Sequence, residues 1–363
     1  MIAPAGFPIP YACLTRLGTE TGRSRDGVGT ETYPSRTNAA SIIGRDVTIA
    51  VASRSFSRNA ILRAELLQRY PGARFNLTDR VLPKDDLVAF LRGHEKAITG
   101  LETLDAAVFS AVPELRLVSK YGVGLDMIDL DAARQHGVAI RWTPGVNRQA
   151  VAELTVAMML ALSRQLVPLA REVADGIWRQ PGGRQLSSAI VGILGCGHIG
   201  QEVARICRAF GSTVIAHDIV SYDEFYRLNA VTPVTLDQLL RESDFVSIHV
   251  PLNATTRGLI GARELKAMKP TAFLVNTARG GIVDEEALRR ALAGGEIGGA
   301  AADVFNVEPP TDRGLLTLSN FVATPHIGAS TAEASLAMGR AAIEGLDDPS
   351  REIALVNVDE TDL

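Results

Sequence analysis

The fold is decided by the stretch Val191-Gly192-Ile193-Leu194-Gly195-Cys196-Gly197-His198-Ile199-Gly200-Gln201-Glu202-Val203-Ala204. An apolar run that ends at Gly195, two further glycines and a helical pattern through Val203 and Phe210 predict a strand, a tight turn and a helix. Gly195 permits the turn, Gly197 lets a pyrophosphate approach the backbone, and Gly200 lets the helix lie close to the strand. The phosphates would meet free N–H groups at the start of the helix. We therefore predict a dinucleotide site.

An acidic residue follows the next predicted strand. The apolar run Thr213-Val214-Ile215-Ala216-His217 ends at Asp218, where a unit of this kind places a carboxylate on the adenosine ribose. That carboxylate would repel a 2′-phosphate, and residues 219–221 supply no cation to bind one. The predicted cofactor is therefore NAD rather than NADP.

The composition is typical of a globular protein with two domains. The chain has 363 residues, of which 46% are hydrophobic, and this length is too great for one ordinary core. A formal net charge of -4 gives no basic stripe for nucleic acid, and no segment has the length and apolarity of a membrane span. Cys13, Cys196 and Cys207 form neither a secreted disulfide framework nor a metal-ligand pattern. We expect a soluble, cytoplasmic protein without a metal.

Residues 1–44 are predicted to be an irregular N-terminal extension. They are rich in Gly, Ser, Thr, Arg and Pro and show no sustained periodicity. The first eight residues lack a basic start and their apolar run is broken by prolines, which argues against a secretory signal.

Strands and helices then alternate, which predicts a parallel sheet covered by helices. The predicted strands are 46–52, 74–77, 96–99, 115–119 and 138–142, and the predicted helices are 59–69, 84–93, 105–111 and 129–135. The fourth strand runs into Lys120-Tyr121-Gly122-Val123-Gly124-Leu125-Asp126. Two glycines at the end of a strand can leave N–H groups free for an anion, but the same residues also suit an ordinary turn.

The first domain boundary is predicted near Thr143-Pro144-Gly145. The segment from Asn147 to Leu166 follows, and it predicts a helix too hydrophobic for a surface element. We expect this helix to be buried between domains or at a contact between subunits.

Three later strand-like segments each lead to an ionisable residue: Phe273-Leu274-Val275-Asn276-Thr277-Ala278-Arg279-Gly280-Gly281, Ala301 to Pro309 with Glu308, and Val322 to Gly328 with His326. In open α/β sheets ligands bind beyond the carboxyl ends of the strands. An arginine there can bind a carboxylate with two charge-assisted hydrogen bonds. A histidine held by a carboxylate can exchange a proton with a carbonyl or an alcohol, as hydride transfer requires. Sequence spacing does not show whether Glu308 touches His326, and structural or solvated roles remain the alternatives.

Five ordered motifs resemble the D-isomer-specific 2-hydroxyacid dehydrogenase family. They are the glycine turn with Asp218, His249-Val250-Pro251-Leu252 with Thr255-Thr256, Asn276-Thr277-Ala278-Arg279-Gly280-Gly281, Asp303-Val304-Phe305 with Glu308-Pro309, and Thr324-Pro325-His326-Ile327-Gly328. The resemblance covers about residues 46–345. It implies an α/β protein of two parallel-sheet domains, with a Rossmann NAD-binding domain inserted in a flavodoxin-like substrate domain. The implied bounds are 146–328 for the NAD-binding domain, and 45–145 with 329–363 for the substrate-binding domain.

The resemblance also implies an activity, the interconversion of a D-2-hydroxy acid and its 2-oxo acid. In that family an arginine binds the substrate, a histidine is the acid/base and a glutamate tunes it, and these roles fall on Arg279, His326 and Glu308. The loop with Lys120, Val123 and Gly124 would bind the substrate carboxylate together with Arg279. Asp303 would hold the nicotinamide carboxamide, and His249 is expected to be structural. The implied cofactor-binding residues are Gly195, Gly197, His198, Ile199, Gly200, Asp218, Val250, Pro251, Thr277, Asp303 and Gly328.

The candidate substrate pair is 3-phosphoglycerate and phosphohydroxypyruvate, which would place the protein in serine biosynthesis. The loops 53–59 and 119–126 look most like those of phosphoglycerate-dehydrogenase-type members. Arg54, Arg58 or Lys120 would then face a phosphate, or they are solvated loop charges. Because the chain ends soon after the returning helix at 331–346, we expect no regulatory domain and no serine feedback.

Two other functions stay open. The nearest is a glyoxylate or hydroxypyruvate reductase; a formate dehydrogenase is disfavoured, since that branch pairs its histidine with glutamine where this chain has Glu308. A function of another class is an NAD-sensing corepressor-like binding protein. The resemblance further implies a homodimer formed through the NAD-binding domain, with the helix 147–166 at the contact. We expect no nucleic-acid or membrane partner.

Overall fold

A computed structural model describes residues 48–311 and 313–347. The extension predicted for residues 1–44 lies outside these described residues. The strands are β1 Ile49–Val51, β2 Arg74–Phe75, β3 Lys96–Thr99, β4 Leu117–Lys120, β5 Ala139–Arg141, β6 Ile190–Leu194, β7 Thr213–His217, β8 Val231–Pro233, β9 Phe245–Ile248, β10 Phe273–Asn276, β11 Gly299–Ala302 and β12 Phe321–Ala323.

Helices connect these strands. They are α1 Arg54–Arg58, α2 Ala60–Arg69, α3 Lys84–Leu91, α4 Ala106–Ala111, α5 Leu130–Gln135, α6 Arg148–Ser163, α7 Leu166–Ala174, α8 His198–Ala209, α9 Asp223–Asn229, α10 Leu236–Glu242, α11 Ala262–Ala267, α12 Glu285–Gly294, α13 Arg313–Leu316 and α14 Ala332–Gly345, with a 3-10 turn at Leu186–Ser188. Several begin at the capping residues that their sequences provide. The Asp129 carboxylate, for example, accepts a hydrogen bond from the Ala132 N–H at 2.9 Å at the start of α5.

Two parallel sheets organise the molecule. The first has the order β2-β1-β3-β4-β5, which is the flavodoxin-like arrangement. The second has the order β12-β11-β10-β9-β6-β7-β8, which is the Rossmann order with one further strand at its edge. Both sheets are fully parallel, and their central strands are almost wholly buried under helices. The predicted fold class is confirmed, whereas the predicted domain boundaries stay predictions.

The strand order creates one crevice in each sheet. In the first sheet the connections reverse direction between β1 and β3, and in the second between β6 and β9. Ligands of open α/β sheets bind at such points, outside the carboxyl ends of the strands. A ligand is therefore expected to contact the residues that follow β3, β4, β6, β9 and β10.

The chain passes between the two sheets twice. Residues 142–147 lead from β5 to α6, and residues 324–331 lead from β12 to α14. The second passage returns α14 to the first sheet, where Ala342 and Ile343 pack with Ile49 and Val51 in one buried cluster. A hydrogen bond of 2.7 Å from the Ser119 hydroxyl to the Ala342 carbonyl fixes α14 on β4.

The predicted helix from Asn147 to Leu166 is interrupted. Gln165 has a φ of 51°, in the left-handed region, and separates α6 from α7. A continuous helix is disfavoured because Pro168 lacks the N–H that the next turn would need. The apolar side of α6 is buried inside the core of the second sheet, where Val156, Met159 and Leu162 pack with Val203 of α8. The opposite side of α6, with Glu153 and Ala157, is exposed, and the predicted subunit contact of this helix stays a prediction.

The helix lengths bear on membrane insertion. No single helix of residues 48–311 or 313–347 is long and apolar enough to cross a membrane; only α6 and α7 together, across a bend of 61°, have that length and composition.

Candidate active site

The glycine turn between β6 and α8 has the shape that a pyrophosphate requires. Gly195 has a φ of 91°, and a methyl group there would lie 2.7 Å from the carbonyl carbon of His249. A methyl group on Gly200 would overlap the Gly195 carbonyl oxygen, so only glycine lets α8 lie this close to β6. Gly197, at the start of α8, has no atom within 4 Å of its missing side chain. The turn thus offers open space directly over the N–H groups at the start of a helix, which fits the predicted ligand.

Asp218 lies beside this turn. One carboxylate oxygen accepts a hydrogen bond of 2.5 Å from the Cys196 N–H, and the other accepts one of 3.0 Å from the Val220 N–H. These bonds fix the carboxylate at the carboxyl end of β7, next to the glycine turn. This is the position from which an acid reaches an adenosine ribose.

The other predicted cofactor residues have varied surroundings. His198 is exposed at the start of α8, and Ile199 packs on the core of the second sheet. Val250 and Pro251 follow β9, half-buried and exposed respectively. Thr277 is 6% exposed, and its hydroxyl lies 2.8 Å from that of Thr155 on α6. Its side chain is therefore bonded inside the protein, and a contact between Thr277 and the cofactor stays a prediction.

His249 is half-buried and its imidazole is neutral, as expected of a structural residue. Burial lowers the pKa of its imidazole to about 3. Its Nε2 lies 2.8 Å from the Ser247 hydroxyl, while its Nδ1 has no hydrogen-bond partner among the described residues. Its backbone packs against Gly195, so His249 supports the glycine turn.

Arg279 follows β10 and reaches across to the first sheet. Its Nε donates a hydrogen bond of 2.9 Å to Asp126, in the loop after β4, and its Nη1 donates one of 2.7 Å to the Ala278 carbonyl. Burial raises the pKa of Asp126, but the Arg279 charge and hydrogen bond outweigh this and hold it below its usual value. The Nη2 group lies against Gly124, where any side chain would overlap it. The guanidinium is thus fixed on one edge, and its remaining N–H groups are left for a ligand.

The backbone before Arg279 is shaped by Asn276. The Asn276 amide donates to the Arg279 carbonyl at 2.9 Å and accepts from the Ala278 N–H at 3.0 Å. Gly280 then passes so close to Phe305 that a methyl group would overlap the Phe305 carbonyl. The Asn-x-x-Arg-Gly motif therefore builds a tight turn that holds the arginine against the neighbouring loop.

Glu308 and His326 are in contact, which sequence spacing could not show. Glu308 Oε2 lies 2.7 Å from His326 Nδ1, and Glu308 Oε1 accepts the Phe305 N–H at 3.1 Å. The two side chains follow β11 and β12, which are hydrogen-bonded neighbours. Because Nδ1 is held by the carboxylate, Nε2 is the ring nitrogen that is left for a ligand.

Asp303 shapes the loop that carries His326. Its buried carboxylate accepts hydrogen bonds from the Thr324 hydroxyl at 2.5 Å, the Ile327 N–H at 2.8 Å and the Gly328 N–H at 2.7 Å. Its carbonyl accepts the His326 N–H at 2.9 Å, and His326 has a left-handed φ of 53°. The Asp303 carboxylate and the Gly328 N–H are thus bonded to each other. The predicted contacts of both residues with the cofactor stay predictions.

Lys120 requires a correction. It was predicted to face the substrate, but it is 4% exposed and its Nζ donates to the Gly100 carbonyl. The Gly100 N–H in turn donates to the buried Glu102 carboxylate at 2.6 Å. Burial lowers the pKa of Lys120 to about 8, against the opposing charges of Glu102 and Asp126. Lys120 therefore fixes the end of β3 rather than offering its charge to an anion; side-chain direction at a strand end could not be inferred from sequence.

Two contributors were missed by sequence analysis. Asp126 orients Arg279, and Trp142 donates a hydrogen bond of 2.7 Å from its indole to the Val123 carbonyl. Asp126 ends the Lys120–Asp126 loop, and its position after two glycines could have indicated a role in the site. Nothing in the sequence indicated the contact of Trp142.

The functional side chains form a row along the carboxyl edge of the second sheet. Asp218 follows β7, the glycine turn follows β6, Arg279 follows β10, Glu308 follows β11 and His326 follows β12. Strands β7 and β10 are three spacings apart, roughly 14 Å at the usual strand separation. A dinucleotide with its adenosine end at β7 therefore directs its other end toward Arg279 and His326. Fold and site together define an NAD-dependent oxidoreductase.

Comparison with known proteins supports this class of enzyme and identifies a family within it. Residues 156–328 match the family model described as D-isomer specific 2-hydroxyacid dehydrogenase, NAD binding domain. A hydroxypyruvate reductase from Thermotoga maritima is 40% identical over 274 residues, covering 74% of this chain and 89% of the relative. The chain belongs to the D-isomer specific 2-hydroxyacid dehydrogenase family. Its cofactor is NAD.

Two further relatives carry different substrate names. A D-3-phosphoglycerate dehydrogenase from Archaeoglobus fulgidus is 37% identical over 280 residues, covering 76% of this chain but only 53% of the relative. A crystal structure of D-lactate dehydrogenase from Aquifex aeolicus, complexed with NAD and lactic acid, superposes with a TM-score of 0.73 at 28% identity, covering 82% of this chain and 94% of the other. The relatives thus share a family and differ in the substrate that each name gives.

Proposed function

We propose that the protein reduces a small, unphosphorylated 2-oxo acid with NADH, hydroxypyruvate and glyoxylate being the candidate substrates. The observation that carries this proposal is that the three cations predicted to face a phosphate, Arg54, Arg58 and Lys120, are bonded to other groups of the protein. Arg54 donates to the Asp79 carbonyl at 2.7 Å, and Arg58 forms an ion pair with the Asp79 carboxylate. Lys120 is buried and bonded to Gly100.

The charges near the cleft also disfavour a phosphate. Glu102, which is 1% exposed, and Asp126 both act on Lys120, so the ammonium is matched by two carboxylates. A phosphate dianion placed there would meet the negative charge of these two carboxylates.

The proposed mechanism needs a site for the substrate carboxylate and a proton donor. The 2-oxo acid docks with its carboxylate on the free N–H groups of Arg279 and on the backbone N–H groups of Val123 and Gly124. The glycine turn and Asp218 would hold NADH, which would supply a hydride to C2. His326 donates the proton from Nε2 to the carbonyl oxygen, while Glu308 holds the imidazole and stabilises its charged form. One hydride and one proton thus convert the ketone to an alcohol.

The substrate class is tested by NADH oxidation at matched concentrations of hydroxypyruvate, glyoxylate and phosphohydroxypyruvate. We expect kcat/KM for hydroxypyruvate to exceed that for the phosphorylated acid by at least about tenfold, which is a preference of roughly 1.4 kcal/mol. Arg54→Ala is the matched control, and it should leave this ratio unchanged.

A preference for phosphohydroxypyruvate that disappears in Arg54→Ala would reverse the substrate assignment and return the protein to serine biosynthesis. No NADH oxidation with any of the three acids, together with NADH-dependent capture of a protein partner, would instead support the corepressor-like function.

We propose further that two copies associate through α7. None of the residues of α7 is buried, although this segment and the turn after it carry Leu166, Val173, Ile177 and Trp178, exposed by 54%, 54%, 53% and 80%. Isolated exposed apolar residues are ordinary, but a group on one short segment is typical of a protein contact.

The association is tested by replacing Leu166 and Val173 with aspartate together. Size-exclusion chromatography with light scattering should give twice the chain mass for the wild type and one chain mass for the variant. Leu228→Asp, at a residue 64% exposed on α9, is the control and should stay dimeric. A wild type that is monomeric at micromolar concentration would rule out the proposed dimer.

A further inference from the structure

Trp142 has no role in the function proposed above. It follows β5, at the start of the first passage between the sheets, and is half-buried. Its indole N–H donates a hydrogen bond of 2.7 Å to the Val123 carbonyl. Val123 and Gly124 form the centre of the loop that faces Arg279.

Among the described residues, this hydrogen bond is the one that holds the centre of the loop. Among the residues that the structure describes, the backbone of 122–124 makes no other hydrogen bond, and the bonds nearest to it lie at Tyr121 and Leu125. Gly122 has a φ of 119°, which leaves the chain free to turn there unless something holds it. Trp142 therefore determines where residues 123 and 124 lie.

The peptide between Val123 and Gly124 connects the indole hydrogen bond to the proposed substrate site. The Val123 carbonyl and the Gly124 N–H belong to one planar trans peptide, so they point in opposite directions. Because Trp142 holds the carbonyl from one side, the Gly124 N–H is directed away from the indole. Gly124 lies against the Arg279 Nη2 group, so this peptide lies beside the arginine.

The segment that carries Trp142 is itself held at its other end. Gly145, with a φ of 66°, packs against His198 at the start of α8, and a methyl group there would lie 2.6 Å from the imidazole Cγ. Residues 142–145 are thus fixed between the loop that faces Arg279 and the glycine turn.

We propose that Trp142 is a positioning residue for the 2-oxo acid, which it serves by orienting the Val123–Gly124 peptide toward the substrate carboxylate. This inference rests on the proposed function, in which that peptide and Arg279 bind the carboxylate together. The indole need not touch the substrate.

The test is Trp142→Phe, which keeps an aromatic ring and removes the N–H donor. The KM for hydroxypyruvate should rise about tenfold, the effect of losing one hydrogen bond at a partly buried acceptor. The kcat and the Kd for NADH should each stay within about twofold. Trp178→Phe, which replaces the other tryptophan of the chain, is the matched control and should leave KM unchanged.

Two results would overturn the proposal. One is an unchanged KM in Trp142→Phe; the other is a loss of NADH affinity and of thermal stability as large as the loss of substrate affinity, which would make the residue merely structural.

A second readout is fluorescence. Trp178→Phe leaves Trp142 as the one tryptophan, and its emission should shift when oxamate is added at saturating NADH, because the anion orders the loop that the indole contacts. No shift would contradict the positioning role. Failure of the wild type to oxidise NADH with any 2-oxo acid would instead count against the proposed function, and the oxamate titration would then decide the inference alone.

Discussion

Replacing His326 with alanine should lower kcat by about 10²- to 10⁴-fold, the usual contribution of a positioned acid/base group. The Kd for NADH should stay nearly unchanged, because the imidazole is bonded to Glu308 and not to the glycine turn. Stopped-flow measurement of NADH oxidation, with NADH binding followed by fluorescence, separates the two quantities.

Glu308→Gln provides a graded comparison for that experiment. The amide keeps the size of the side chain and can still accept the hydrogen bond from Nδ1, but it no longer stabilises an imidazolium by charge. Its kcat should therefore fall less than that of His326→Ala. If His326→Ala retained turnover within about threefold of the wild type, another group would have to be the acid.

Replacing Arg279 with glutamine should lower kcat/KM by about 10²- to 10⁴-fold, since two hydrogen bonds to a charged group are lost and each contributes roughly 1.5–3 kcal/mol. Arg279→Lys should recover only part of this loss, because an ammonium keeps the charge but lacks the planar fork. Steady-state kinetics with hydroxypyruvate gives both values.

Asp126→Asn is the matched control for Arg279. It leaves the guanidinium present but removes the charge that holds Nε, so its effect should be smaller than that of Arg279→Gln. Gly124→Ala should act like the loss of Arg279, because a methyl group there overlaps Nη2. Equal activity of wild type and Arg279→Gln would show that the carboxylate is bound elsewhere.

The part of the fold that could be predicted depends on short-range patterns. The glycine turn is encoded within ten residues, since Gly195 and Gly200 each lie where a side chain would collide with nearby backbone. The alternation of strands and helices could be predicted in the same way, and β3 was placed with its observed ends. The break at Gln165 was missed, because apolar periodicity continues through it and only Pro168 argues against a longer helix.

The part of the site that could not be predicted depends on long-range contacts. Arg279 and Asp126 are 153 residues apart in the sequence, and they meet only when both sheets are formed. The contact of Glu308 with His326 requires β11 and β12 to be neighbours, which alternation alone does not specify. Lys120 shows the converse: its residue type suggested an anion ligand, but its position on β4 turns the ammonium toward Gly100.

The two passages of the chain between the sheets have a mechanical consequence. Two bodies joined at two points can turn easily only about the line through those points, and here the line runs through residues 142–147 and 324–331. Trp142 and His326 belong to these passages, and groups near an axis of rotation are displaced least when the angle changes. A rotation about this line would therefore displace the acid/base group and the anchor of the 122–124 loop less than groups at the mouth of the cleft.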